Sequence, residues 1–553
     1  MMNIFSRKTW LLAVPALSAV LLWAAFPPLG ETANVAFALT PLLVVSRLCT
    51  PKRAAWLWFA GGFLFWFGTL SWMPAIIKNN GPWPLVVLGW AGLAAACAAY
   101  FALFGWLSAR AWRRWGRWGL AAEPVLWAGC EWLRATLFTG FAWNFLGTAV
   151  GQTPAFAAPA RLGGVYLVSA LVVLLNGVFA TLVCRVIAQM AGSTGSERTA
   201  GTTGTSETTG SSGKWRAKLV HSAETAVPLA IILLVFWISQ PRSVSNGPHD
   251  AIPLRVALVQ RNAPCIFSAK RPRENPLEVY GRLLETAAAA RPDLVVWGES
   301  AMAEFGRLDG ENASRAAAHF AGKLGGAALL AGGDWVRDGR FHNAAALYSG
   351  TNAVQLYAKQ HLVPFGEYIP FDKWFAFLQK LSPIGVSLWP GESTAFRLAV
   401  NRGRGSGAPE VPVVVLSPLI CYEDTDPTLS RAAARLGAQA IVLITNDSWF
   451  SDSIESVQHA AQAVLRAIET GLPVIRVGNS GVTGVIDGKG RARWLTDGDG
   501  KPLVDASGTM VETVPVPAAP VPTPYVRAGD WPLLVLFAAA LLLVFAVPRK
   551  ENA

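Results

Sequence analysis

The run Val413-Val414-Val415-Leu416-Ser417-Pro418-Leu419-Ile420-Cys421-Tyr422-Glu423 decides how this chain folds. It reads as a strand apolar on both faces, Cys421 stands where that strand ends, and Asp426-Pro427 just beyond has the N-cap and first-turn chemistry of a helix. A strand buried on both faces belongs to a sheet covered by helices. The same alternation recurs on either side, with strand candidates at 254–260, 293–297, 327–332, 344–348 and 440–445 and helix candidates at 277–291, 314–324, 427–436 and 456–470. Residues 245–525 are therefore expected to form one α/β domain, long enough for a complete enzyme. Pro418 has no N–H to donate and predicts an edge or a bulge at its place in the strand. The Pro-rich segment 514–522 reads as an extended, semi-rigid linker.

The rest of the chain is a different material. Across 553 residues, 52% are hydrophobic and only 15% charged, too apolar for one ordinary soluble domain. The excess is concentrated in eight windows, 11–26, 35–49, 55–77, 84–107, 119–138, 163–189, 226–240 and 531–547, most of them near the roughly 20 residues that cross a bilayer. Basic residues follow every second window: Arg7 and Lys8 at the start, then Lys52-Arg53, then Arg110, Arg113, Arg114 and Arg117, then Arg185 and Arg216, and finally Arg549-Lys550. Lys and Arg collect on the cytoplasmic side of short loops. The expected topology is eight transmembrane helices with both termini cytoplasmic and 245–525 on the far side. The expected domains are 1–244 with seven helices, 245–525 as the extracytoplasmic unit, and 526–553 as a final helix and tail.

This topology signal accounts for much of the net charge of +12 and argues against nucleic-acid binding. The 24 Trp residues fit bilayer interfaces. The first window resembles a signal peptide but lacks a small-residue cleavage site, so it is expected to be retained. Residues 191–213, almost wholly Gly, Ser, Thr, Ala and Glu, read as a flexible cytoplasmic loop. The six cysteines form no disulfide pattern: Cys49, Cys97, Cys130 and Cys184 sit in or beside the windows, and Cys265 and Cys421 lie far apart in the outer domain. A free thiol kept outside the cytoplasm needs a chemical reason.

Three polar residues at apolar strand ends supply that reason. Glu299 in Trp297-Gly298-Glu299-Ser300, Lys359 in Tyr357-Ala358-Lys359, and Cys421 are a carboxylate, an amine and a thiol, able to serve as general base, oxyanion stabiliser and nucleophile. The Lys359 charge and the helix start at Asp426 would favour the thiolate. His361 and His459 read as hydrogen-bonding residues rather than bases, and Cys265 as inert.

These motifs, with Gln360-His361-Leu362-Val363-Pro364-Phe365-Gly366-Glu367-Tyr368, Thr445-Asn446-Asp447-Ser448-Trp449-Phe450, Arg466-Ala467-Ile468-Glu469, Asn479-Ser480-Gly481 and, in the apolar half, Glu131-Trp132-Leu133-Arg134, resemble the carbon-nitrogen hydrolase (nitrilase) superfamily. Within it they are similar to the membrane-bound apolipoprotein N-acyltransferases. The resemblance implies a nitrilase-like α-β-β-α sandwich beside the helical bundle and a multi-pass protein of the bacterial cytoplasmic membrane with its catalytic domain on the periplasmic side. It implies that Cys421 takes the sn-1 acyl chain of a phospholipid as a thioester and passes it to the α-amino group of a diacylated apolipoprotein. Glu367 becomes a second essential carboxylate, Tyr422 and Glu423 shape the pocket and hold the loop, and Trp449 and Phe450 are candidate acyl-pocket aromatics. No cofactor and no metal are expected, and a monomer suffices. Two alternatives stay open: a membrane-tethered amidase using the same three residues, and a transporter or scaffold whose outer domain only binds ligands.

Overall fold

Successive side chains of a strand point to opposite faces, and in the C-terminal half both faces are apolar, so each sheet has to be covered twice. The computed structural model describes residues 8–196, 211–240, 251–265, 274–350, 353–370, 387–400 and 411–546. Its strands are Ala251–Gln260 (β1), Leu294–Trp297 (β2), Ala328–Arg337 (β3), Arg340–Tyr348 (β4), Gln355–Ala358 (β5), Phe396–Ala399 (β6), Val413–Ile420 (β7), Ala440–Thr445 (β8), Val474–Gly478 (β9), Gly484–Ile486 (β10), Ala492–Trp494 (β11) and Gly508–Pro517 (β12). They form two six-stranded sheets, ordered β12-β1-β2-β3-β4-β5 and β11-β10-β9-β8-β7-β6. Parallel pairing of β1, β2 and β3 in one, and of β7, β8 and β9 in the other, forms the centres.

The faces divide as the alternation requires. Val256 and Leu258 pack against Val414, Leu416, Val442 and Ile444 between the sheets. Ala257 and Val259 turn outward, to Tyr280, Leu284 and Phe320 on the helices Pro276–Ala288 and Glu311–Lys323. On the far side, Leu419, Ile441 and Leu443 meet Ala463, Val464 and Leu465 of the helix Glu455–Thr470. The result is the expected α-β-β-α sandwich. That last cluster does not stop at the sandwich: it continues through Trp143, Phe145 and Val150 to Trp66, Trp127 and Phe537. The second sheet's helical cover and the apolar half of the chain share one core.

In that half, helices Lys8–Ala25, Thr40–Leu48, Pro51–Thr69, Trp83–Trp115, Gly119–Thr136, Ala160–Ser196, Ser211–Ser239 and Trp531–Ala546 fall on the apolar windows. Two stretches, Trp83–Thr136 and Ala160–Met190, are long and apolar enough to cross a membrane. The window 35–49 lies on the apolar helical stretch Thr32–Leu48, built in two pieces, a 3-10 turn at Thr32–Ala36 and the helix Thr40–Leu48. Thr40–Leu48 has nine residues, reaching only about 14 Å at the helical rise. Its start is broken and capped by Asn176, whose side-chain oxygen accepts from the Leu39 and Thr40 N–H groups at 2.8 and 3.1 Å. Of the expected loop 191–213, residues 197–210 lie outside the described residues, and the segments on either side continue the flanking helices.

The Pro-rich linker reading of 514–522 is corrected in its first half. Val514-Pro515-Val516-Pro517 completes β12, antiparallel to β1 with Pro515 opposite Pro253. Two prolines facing one another have no N–H to exchange, so they fit the non-hydrogen-bonded positions of a ladder at the sheet's outer strand. Pro418 behaves as expected: β6 covers only Val413–Leu416 of β7, so Pro418 pairs with Val442 of β8 on one side and lies past the end of β6 on the other.

Candidate active site

Strand ends carry the site. Glu299 stands two residues past β2, Lys359 directly past β5 and Cys421 directly past β7, so the sandwich brings three sequence-distant groups to one place. The approach is close: a Cβ on Gly332 of β3 would lie 2.7 Å from the Glu299 Cα, which leaves room for glycine alone. Cys421 adopts φ +53°, a left-handed conformation costing a non-glycine residue of order 1–3 kcal/mol. The surroundings that hold it there are therefore part of the site.

The charges are arranged unevenly. The Lys359 ammonium, 1% exposed, lies 3.0 Å from Glu367 Oε1 and 3.6 Å from Glu299 Oε1. Asn343, on β4, donates through its amide nitrogen to the same two oxygens, at 2.6 Å to Glu299 and 2.7 Å to Glu367. The second Glu367 oxygen accepts from the Val363 N–H at 2.7 Å. Burial raises the Glu299 carboxyl above its ordinary value, Lys359 pulls it down, and Glu367 adds to the rise. Burial would lower Lys359, but Glu367 and then Glu299 outweigh it and hold it protonated. The Cys421 thiol is pushed well up by burial and by Glu299, against the opposing pull of Lys359. The expected pull of Lys359 toward the thiolate is present, but burial and the Glu299 carboxylate both oppose ionisation of the thiol.

Glu423 ties the two loops together. Its carboxylate accepts from the N–H groups of Ile420 at 2.7 Å, Gln360 at 2.6 Å and His361 at 3.2 Å, and from the Tyr357 hydroxyl at 2.7 and 2.8 Å. The residue before the thiol and the residue after the lysine are thereby held by one side chain. Tyr422 faces the other way, its ring lying 6.4 and 6.5 Å from those of Phe141 and Trp143 and 5.3 Å from His361. The segment Trp449-Phe450 meets the helical half: the Phe450 ring packs edge-on on Trp72 at 4.8 Å, and the Trp449 backbone carbonyl accepts from Asn79 at 2.9 Å.

Sequence reasoning passed over Asn343. A lone amide at the head of the apolar run Ala344-Ala345-Ala346-Leu347-Tyr348 was the available signal. It also passed over a second buried cluster. Asp447, Glu455 and His459 bring one ligand atom each within 4.8 Å of one another, a spacing a metal ion could use. The donor set argues otherwise. Both His459 nitrogens already face carboxylates, Nε2 to Asp424 and Nδ1 to Asp447, each at 3.0 Å, and the Arg476 guanidinium lies 3.5 Å from Asp447. Two cationic groups already neutralise the carboxylates a metal would need.

Comparison with known proteins gives a consistent result. Residues 18–178 match the profile of the apolipoprotein N-acyltransferase N-terminal domain and residues 255–516 that of carbon-nitrogen hydrolase. An apolipoprotein N-acyltransferase of Geobacter metallireducens is 32% identical over 497 residues, 89% of this chain and 87% of that one. One of Brucella melitensis is 31% identical over 563 residues, 96% and 92% of the two chains. Among solved structures, an amidase from Nesterenkonia sp. aligns with a TM-score of 0.33 at 19% identity, over 51% of this chain and 95% of its own. With both halves matched in order and relatives aligned over nearly their full length, the chain belongs to the apolipoprotein N-acyltransferase family, membrane-associated acyltransferases with a carbon-nitrogen hydrolase domain.

Proposed function

We propose that this protein acylates the N-terminal amine of lipoproteins in two steps, with Cys421 as the acyl carrier. In the first, Glu299 takes the Cys421 proton as sulfur attacks the sn-1 ester carbonyl of a phospholipid, and Lys359 stabilises the resulting oxyanion. The C–O bond then breaks, the departing lysophospholipid oxygen recovers the proton from Glu299, and a thioester remains. In the second, the α-amine of a diacylglyceryl-cysteine attacks the thioester, Glu299 takes an amine proton, and the thiolate leaves and is reprotonated. One hard transfer becomes two easier ones, because a thioester is labile to an amine. Glu367 positions Lys359, Glu423 holds the loops, and Tyr422 borders the pocket on the bundle side, with Trp449 and Phe450 further out along that border.

The observation that carries this reading is a Lys359–Glu299–Cys421 constellation on a sandwich whose helical cover shares its core with long apolar helices. A lipid substrate explains why such a site is joined to a bundle; an amidase acting on a small amide does not need one. The same reading includes eight spans, both termini cytoplasmic, the unit 245–525 between 1–244 and 526–553 on the periplasmic side of the inner membrane, and action as a monomer.

The test is incubation of the detergent-solubilised full chain with a labelled phospholipid, intact-mass detection of an acyl adduct, and then addition of a diacylated lipopeptide. The adduct is expected on Cys421, is expected to vanish in Cys421→Ala, and is expected to move to the peptide amine. An adduct lost only to water would favour the amidase. Glu299→Gln should slow adduct formation by about 10²–10⁴. The wild-type rate should fall off on the acid side at a pH above the ordinary carboxylate range of about 4.3, because Glu299 is raised and acts only when deprotonated.

A further inference from the structure

Directly behind Cys421 lies a closed group of ionisable side chains that the two steps above do not use. Asp424, Asp447, Glu455, His459 and Arg476 are each 3% exposed or less. His459 is at their centre. Its Nε2 faces Asp424 Oδ1 at 3.0 Å, and its Nδ1 faces Asp447 Oδ1 at 3.0 Å and Glu455 Oε1 at 3.6 Å. Arg476 approaches Asp447 from β9 at 3.5 Å, and the indole of Trp143 covers the imidazole with ring centres 5.6 Å apart.

The two aspartates belong to the two segments that flank the thiol. Asp424 lies three residues past Cys421 in the same short turn. Asp447 accepts from the Thr445 hydroxyl at 2.8 Å, and Thr445 accepts from the Glu299 N–H at 3.3 Å through its carbonyl. Three carboxyl groups face two cationic groups, so the cluster is neutral when one carboxyl keeps its proton. Burial and the neighbouring Asp447 raise the Glu455 carboxyl well above its ordinary value. With both ring nitrogens directed at carboxylates and the ring buried beside Trp143, His459 is closed off from a substrate.

We propose that His459 is a positioning residue: as an imidazolium between Asp424 and Asp447 it clamps the turn that carries Cys421 to the turn after β8 that carries Asp447, and it screens the negative charge of Asp447 from the thiol. The inference rests on the reading of Cys421 as the nucleophile. It predicts opposite effects for the two ends of one ion pair, which a merely structural role does not. Without His459, Asp424 and Asp447 face the thiol less compensated and its ionisation becomes harder; without the charge on Asp447 it becomes easier.

The experiment measures the rate of Cys421 alkylation by iodoacetamide against pH, located by peptide mass, in the solubilised full chain. His459→Gln should move the midpoint up by about one pH unit, about tenfold slower alkylation at a fixed pH below it. Asp447→Asn should move it down, and the double variant should return toward wild type. Unchanged midpoints with only a lowered unfolding temperature would overturn the proposal. If His459→Gln does not fold, Asp447→Asn decides by itself: a lowered midpoint supports the screening and an unmoved one overturns it. Iodoacetamide reads the thiol whatever its acyl substrate, so failure of phospholipid to label Cys421 would sink the acyl-transfer reading and leave this result standing.

Discussion

Arg47 with Glu123 in the apolar helices, and Lys359 with Glu299 and Glu367 in the sandwich, are both ionic clusters closed off from water, and they differ in the ratio of cations to carboxylates. In the first, one cation meets one carboxylate at 3.1 Å. Further bonds are local: Arg47 also donates to Thr181 Oγ1 and to the Gly177 carbonyl, both at 2.9 Å, while Glu123 accepts from Ser108 at 2.9 Å and from Trp112 at 2.7 Å. In the second, one ammonium serves two carboxylates beside a thiol, so carboxylate charge exceeds cationic charge whenever both carboxyls are ionised. A balanced buried pair stabilises one geometry; an over-acidic one keeps a carboxylate ready for a proton.

Substitutions can break this contrast at either end. The largest effect is expected from Lys359→Met, which keeps the side-chain length and removes the charge. Adduct formation on Cys421 should fall by about 10²–10³, with folding preserved because Glu299 and Glu367 can then share a proton; a rate within tenfold of wild type would remove Lys359 from the oxyanion role. Asn343→Leu should act through pH. Loss of the donor to Glu299 raises that carboxyl further, so the acid limb of the rate profile should shift by about one unit to higher pH, about tenfold slower on that limb. An unshifted limb would mean that Asn343 only fills space. The smallest effect on chemistry is expected from Arg47→Met. Leaving Glu123 buried and unpaired should cost roughly 3–5 kcal/mol of stability, read by thermal unfolding in detergent, while the adduct rate per folded molecule stays within about twofold. A rate loss exceeding the stability loss would erase the distinction between the two clusters.

Much of this was readable from residues in order. The β7 run, the turn at Cys421 and the Asp426 cap are local patterns, and the structure has the cap, with Asp426 accepting from the Thr428 N–H at 2.8 Å. Patterns failed where two readings share one local signal. Val514-Pro515-Val516-Pro517 is equally extended as linker or strand, and only the facing Pro253 on β1 distinguishes them. Window 35–49 holds Thr40-Pro41, a helix-start signal within an otherwise mostly apolar run, and Asn176, remote in sequence, accepts from the N–H groups at that start.

The sequence by itself determined the two materials of the chain, the two-sided sheet strands and the three chemical groups at strand ends, because period, apolarity and residue type are properties of neighbours along the chain. Only the tertiary structure decided how those groups are charged. Whether Cys421 rests as thiol or thiolate depends on enclosure and on the ratio of carboxylates to cations around it; Asp447 and His459 enter that ratio, and Asn343 enters as a donor to Glu299, through strand pairing and helix packing that no local pattern specifies.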